Sequence, residues 1–83
     1  MKAYVYREQD FIDNELIMSK DIYCTSFEEA YNRMSKALYR CLIENGYVGG
    51  ESPTINNPRC IAIFKNNIGA TYTIRMEVFK RKE

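Results

Sequence analysis

The side chains that could carry chemistry in this chain are three cysteines and two close pairs of carboxylates. The cysteines are Cys24, Cys41 and Cys60, and the carboxylate pairs are Asp10 with Asp13 and Glu28 with Glu29. The sequence contains no histidine. Acid–base catalysis near neutral pH needs a group that exchanges protons in that range, and a serine or cysteine nucleophile needs a neighbour that activates it. No motif supplies either group, so the sequence predicts a protein that is not an enzyme.

The cysteines also match no metal-binding pattern. Zinc-binding cysteines occur at short, repeated spacings and are often completed by histidine, whereas these three are widely spaced. We expect reduced thiols, with Cys41 in the core and the other two either buried or exposed. A disulfide or a three-thiolate site is the less favoured alternative. The glycine-rich segment after residue 45 lacks the lysine of a phosphate-binding loop, and we expect no metal and no cofactor.

One long helix is the clearest element of the sequence, between Thr25 and Gly46. Its apolar residues recur at spacings of three and four, which is typical of a helix with one buried face. They are Phe27, Ala30, Tyr31, Met34, Ala37, Leu38, Cys41 and Leu42. Ser26 can cap the first turn, Glu29 can complete a capping box, and Asn45-Gly46 can end the helix. Such a helix is about 30 Å long and can cross a small sheet.

Two strands are predicted before the helix. Residues 2–7 alternate and are rich in aromatic and β-branched side chains, and residues 15–19 form a second short strand that pairs with the first as a hairpin. Between them, residues 8–14 are acidic and are predicted to form a long loop. The alternative is a short helix that begins at Asp10, because Leu16, Ile17 and Met18 are apolar on both faces and periodicity does not choose between the two structures.

Two further strands follow the helix. Residues 59–65 and 70–82 flank the segment 66–69, which has the composition of a hairpin turn. Pairing through that turn places Ile63 opposite Tyr72 and Ile61 opposite Ile74. The prediction is therefore that both isoleucines, together with Ile74 and Met76, face the helix.

These elements predict an α+β fold in one domain, residues 1–83. The arrangement is ββαββ, with the long helix packed across a small mixed or antiparallel four-stranded sheet, and the runner-up is βααββ. The last strand is longer than its partner, so its second half needs another neighbour. Strand one is the first candidate, and the same strand of a second copy, which would form a homodimer, is the other.

Composition indicates a water-soluble chain. No apolar run approaches the roughly 20 residues that a membrane span needs, and the N-terminal residues lack the apolar region of a signal peptide. We therefore expect a cytoplasmic protein that does not enter the membrane.

Acidic side chains outnumber basic ones seven to three in residues 1–30, and basic ones outnumber acidic ones nine to four in residues 31–83. The charges form opposed patches only if the fold separates the two halves.

Without catalytic groups, the sequence favours binding of another protein. Seven tyrosines exceed what one small core needs, and tyrosine is enriched at interfaces. Tyr39 and Ile43 form an apolar pair on the back of the predicted helix, beside Lys36; the other interpretation is that the following loop folds back over Ile43. The outer sheet face is a second candidate, with Arg75, Phe79 and Phe64, joined by Tyr4 and Tyr6 if their strand turns that side outward. The acidic segment 8–14 and the glycine-rich loop 46–58 are further candidates.

The alternative function is a small nucleic-acid-binding domain. Aromatic side chains rimmed by cations on a sheet bind single strands, and the C-terminus is basic at Lys80, Arg81 and Lys82. In size and in its use of Asn, Ile, Lys and Tyr, the chain resembles small inhibitors encoded by phages and mobile elements, including anti-CRISPR proteins. No motif assigns it to one family.

Overall fold

One helix covers one face of a five-stranded antiparallel sheet in the computed structural model, which describes residues 2–44, 49–65 and 69–82. The elements are β1 Tyr4–Ile12, β2 Glu15–Cys24, α1 Phe27–Glu44, β3 Gly49–Glu51, β4 Arg59–Lys65 and β5 Thr71–Lys80. The strand order in the sheet is β2-β1-β5-β4-β3. The α+β class and the single helix are confirmed, and the sheet has five strands instead of the predicted four.

The first two strands form a long hairpin with a two-residue turn. Asp13 and Asn14 have φ angles of 48° and 70°, and two successive positive φ angles match the type I′ turn, which suits the twist of a hairpin. The predicted loop at residues 8–14 is therefore wrong, because β1 continues to Ile12. The short helix of the runner-up is also wrong, because residues 15–24 pair with β1.

The turn of this hairpin is held against the beginning of β5. The Asp13 amide donates to the Thr71 carbonyl at 2.8 Å, and the Thr71 amide donates to the Asp13 carboxylate at 2.9 Å. The hairpin contains one irregularity, since Asp10 lies opposite Met18 and Phe11 lies opposite Leu16. Ile17 is thus an extra residue on β2, a β-bulge near the turn.

At the start of the helix, Ser26 acts as predicted, whereas Glu29 bonds to Thr25 instead of to the cap amide. The Glu29 amide donates to Ser26 Oγ at 3.1 Å, so Ser26 is the N-cap. The Glu29 carboxylate accepts from the amide and hydroxyl of Thr25 at 3.0 and 2.7 Å, one residue earlier than an ordinary capping box. The predicted end at Asn45-Gly46 lies outside the described residues. Among the helical residues that the structure describes, no segment is long and apolar enough to cross a membrane.

The last strand is at the centre of the sheet. Residues Tyr72–Lys80 of β5 pair with β1, and residues Thr71–Glu77 pair with β4 on the other side. The prediction that the second half of this strand pairs with the first strand is therefore confirmed. The neighbour is therefore not the same strand of a second copy, since β1 pairs with residues 72–80 of β5 and β4 pairs with residues 71–77.

The additional strand lies within the glycine-rich connection. Residues Gly49–Glu51 pair antiparallel with Ile61–Ile63 and extend the sheet beyond β4. Gly50 has a φ of 146°, a conformation that side chains disfavour. The rest of the connection contains a compact turn, in which Thr54 and Asn57 exchange backbone hydrogen bonds of 3.1 and 3.2 Å.

The core lies between α1 and the sheet, and it corrects the predicted facing of β4. Ala62 pairs with Ile74 and Phe64 pairs with Tyr72, one residue away from the predicted register. A shift of one residue turns every side chain to the opposite face. Ile61 and Ile63 therefore lie on the outer face. The helix side of β4 carries Cys60, Ala62 and Phe64, which are buried in the cluster of Met34, Ile74, Met76 and Val78.

Candidate protein-binding surfaces

The exposed back of α1 carries an apolar pair with basic neighbours. Tyr39 is 66% exposed and Ile43 is 63% exposed, although both are large and apolar. With Ser35, Lys36 and Arg40 they line a shallow depression of about 490 Å³. We call Lys36, Tyr39, Arg40 and Ile43 the helix patch. The structure thus brings together the three residues predicted for this surface and adds Arg40.

The position of the helix patch follows from the capping and periodicity of α1. Burial of Ala30, Met34 and Cys41 against the sheet turns residues 36, 39 and 43 to the opposite side of the helix. Lys36 and Arg40 form no ion pair with any side chain that the structure describes, a set that does not include Glu44. The helix patch therefore combines exposed apolar area with two cations that no described side chain neutralises.

The outer sheet face, opposite the helix, carries three arginines that each contact an aromatic ring. The guanidinium carbon of Arg7 lies 4.9 Å from the centre of the Phe79 ring. The two other contacts join Arg75 to Phe11 at 5.5 Å and Arg81 to Tyr23 at 5.0 Å. These are cation–π distances. The predicted pair Arg75 and Phe79 is on this face, but each residue has a different partner.

Charges alternate in a row across the outer face. The cross-strand partners Asp21, Arg7, Glu77 and Arg59 follow one another from β2 to β4. Arg7 and Asp21 form a two-point ion pair, with N–O distances of 2.8 and 3.0 Å. Hydrogen bonding to Arg7 lowers the pKa of Asp21, and the same bond raises the pKa of Arg7. The middle of this face thus neutralises itself and has no strong net charge.

Tyr4, Tyr6 and Phe64 lie on the helix side of the sheet and are not part of the outer face. Tyr6 is only 3% exposed and belongs to the core, and its hydroxyl donates to Glu8 at 2.8 Å. Burial is the main cause that raises the pKa of Tyr6. The Tyr4 ring packs edge-on against Phe27 of the helix at 6.0 Å. The strand β1 therefore turns Tyr4 and Tyr6 toward the helix, so neither tyrosine belongs to the outer face.

Side chains that were considered for catalysis either accept hydrogen bonds that stabilise the fold or are buried. Glu29 accepts hydrogen bonds at the helix start, which lower its pKa. Asp13 accepts from the Thr71 amide. All three cysteine side chains are buried, and burial raises the pKa of the Cys60 thiol to about 12, far from the range of a reactive thiolate. Across residues 2–44, 49–65 and 69–82, no three His, Cys, Asp or Glu side chains are close enough to hold a metal ion.

Sequence reasoning missed two features of the β1–β2 hairpin. On β2, Leu16 and Ile17 are each 50% exposed and Tyr23 is 45% exposed. On β1, Asp10 is 93% buried, and one of its oxygens accepts from the Tyr72 hydroxyl at 2.7 Å while the other has no hydrogen-bond partner among the described residues. The hairpin itself was predicted, but with a long loop; Asp13-Asn14, which both tolerate positive φ, were the signal that could have revealed its two-residue turn.

No protein-family model, curated protein or solved structure matches this chain.

Proposed function

We propose that this chain is a cytoplasmic, non-enzymatic binding protein, such as an inhibitor or adaptor, and that it binds another protein through the helix patch. The observation that carries the proposal is the exposure of Tyr39 and Ile43, which lie one helical turn apart on the back of α1. Exposing apolar side chains of this size to water costs free energy, and burial against a partner would recover it.

The composition of the helix patch defines the partner. Tyrosine and arginine are the residues that most often dominate the energy of an interface, and Ile43 adds apolar area beside them. Lys36 and Arg40 favour acidic groups on the facing surface, because no described residue neutralises them. The partner that fits is a protein with an apolar recess and an acidic rim, of the kind that receives one face of a helix.

The experiment is a comparison of two variants in a pull-down from the source cell, followed by affinity measurement with the purified partner. Tyr39→Ala is expected to weaken binding by about 2 kcal/mol, roughly 30-fold in Kd. Ile43→Ser is expected to act in the same direction. Both residues are exposed, so circular dichroism should show an unchanged fold.

A matched control uses Ile55, which is 72% exposed and belongs to the connection between β3 and β4. Ile55→Ser makes the same chemical change as Ile43→Ser at a similarly exposed position. The proposal requires that binding survive Ile55→Ser. Recovery of the bait alone under gentle conditions, or equal loss with both serine variants, would count against the helix patch.

Nucleic-acid binding through the outer sheet face and the basic C-terminus is the second candidate. The three arginine–aromatic contacts support it, since such groups can stack on bases. The acidic side chains of Asp21 and Glu77 on the same face weaken it. Fluorescence anisotropy with single-stranded and duplex oligonucleotides tests this function, which predicts binding that falls steeply with salt. An absence of binding at low salt would exclude it.

A further inference from the structure

The strand β2 forms one edge of the sheet along its full length. It pairs with β1 alone among the described strands. The backbone amides and carbonyls on its other edge therefore have no neighbouring described strand. Seven of its ten residues are exposed. Between the bulge at Ile17 and the helix, residues 18–24 form a regular stretch without proline or glycine. A long, regular edge of this kind is a template for another strand.

A second copy of this chain is a poor occupant of that edge. Two-fold pairing of identical antiparallel strands places one residue opposite itself, with both side chains on the same face. A centre at Lys20 or Asp21, in the middle of the regular stretch, puts like charges directly opposite each other. A centre at Ser19 brings the bulge at Ile17 into the pairing, and a centre at Ile22 leaves only a short ladder.

The charges of β2 indicate which other strand would complement this edge. Lys20 points to the helix side and Asp21 to the outer side, as their alternation along the strand requires. On β1, Glu8 lies opposite Lys20 and Arg7 lies opposite Asp21, so the neighbour already present is basic and then acidic along its own sequence. The same order would complement β2 from its free side.

We propose that the free edge of β2 binds an extended segment of a partner protein as a sixth, antiparallel strand. The segment has a basic residue followed by an acidic residue, which face Asp21 and Lys20. Apolar residues flank this pair, since they would contact Ile22 and Met18, which are half-buried on the helix side. Backbone hydrogen bonds supply affinity and these side-chain positions supply specificity. The proposal is independent of the helix patch, which lies on another element.

The test selects short linear peptides of random sequence on the full-length chain. The expected result is enrichment of alternating sequences with the order apolar, basic, acidic, any residue, apolar. A synthetic copy of an enriched peptide should slow hydrogen exchange at amides of residues 18–24. The variant Lys20→Glu should weaken this peptide about tenfold, and selection on that variant should replace the acidic residue with a basic one.

Lys36→Glu provides the matched control, because it makes the same charge change on α1. It should leave the alternating basic–acidic sequences unchanged, even if it alters other peptides that bind the helix patch. Selection that responds to Lys36→Glu instead of Lys20→Glu would place the peptides on the helix patch and overturn the proposal. Failure to enrich an alternating sequence would also overturn it, as would a solution mass of twice the monomer with β2 amides protected in the absence of peptide.

Discussion

Two neighbouring alanine substitutions on β4 test the facing of this strand. Phe64 is 3% exposed and lies under the helix, whereas Ile63 is half-buried on the outer face. Truncation of a buried phenylalanine costs about 3–5 kcal/mol. For Ile63→Ala we expect about 1–2 kcal/mol, from roughly half of a full burial term together with the lower strand propensity of alanine.

These magnitudes are large relative to the stability of a domain of this size. A chain of 83 residues is expected to have a free energy of unfolding of roughly 4–12 kcal/mol. Phe64→Ala should therefore remove a major share of the stability, and Ile63→Ala a minor one. One kcal/mol corresponds to roughly 4–8 °C in Tm for a domain of this length.

The assay is urea unfolding followed by circular dichroism at the helix band, with thermal melts as a second measurement. The expected order is wild type, then Ile63→Ala, then Phe64→Ala, with the last two separated by about 1–4 kcal/mol. The reverse order, with Ile63→Ala the more damaging change, would refute the register described here. It would instead support the facing of Ile61 and Ile63 predicted from the sequence.

Three further predictions concern the helix start, the buried thiol and the buried carboxylate. Ser26→Ala should lower stability by about 1 kcal/mol in urea unfolding, because the N-cap acceptor is lost, and Ser26→Asn should restore it. The pKa of the Cys60 thiol is raised from 9.0 to about 12, so the folded state keeps a proton that the unfolded chain releases. The free energy of unfolding should therefore be unaffected by this thiol below pH 9 and should fall between pH 9 and pH 12, by about 1.4 kcal/mol per pH unit at most. Cys60→Ala should make the free energy of unfolding less dependent on pH in this range, as measured by unfolding at several pH values. Tyr72→Phe should cost about 1–3 kcal/mol, because Asp10 loses its hydrogen-bond donor; adding Asp10→Leu should recover part of the loss, and a purely additive double variant would contradict that coupling.

The helix could be predicted because its signals are local. Ser26, Glu29 and the apolar residues at spacings of three and four lie within one segment, and each favours the same structure. Tyr39 and Ile43 lie opposite the buried stripe, so their place on the back of the helix beside Lys36 could also be predicted. Their exposure could not, because the sequence left open whether the following loop folds over Ile43, and Arg40 was not predicted.

The β1–β2 hairpin was only partly predictable. The run Leu16-Ile17-Met18 is apolar at every position, and the acidic residues before it obscure the alternation of β1. In the fold, the bulge at Ile17 interrupts the alternation of β2, and Asp10 is buried on a strand that looked like a loop. These are consequences of pairing with β5 and of cover by neighbouring side chains, which local patterns do not contain.

The sequence by itself determined the α+β class, the position and sidedness of α1, the two faces of β5, and the absence of a recognisable catalytic motif. It did not determine the facing of β4, because the segment RCIAIFK offers apolar side chains on both faces. Only packing against α1 selects Ala62 and Phe64 for the core and turns Ile61 and Ile63 outward. The free edge of β2 is likewise a property of strand order, since pairing between distant segments decides which strand ends the sheet.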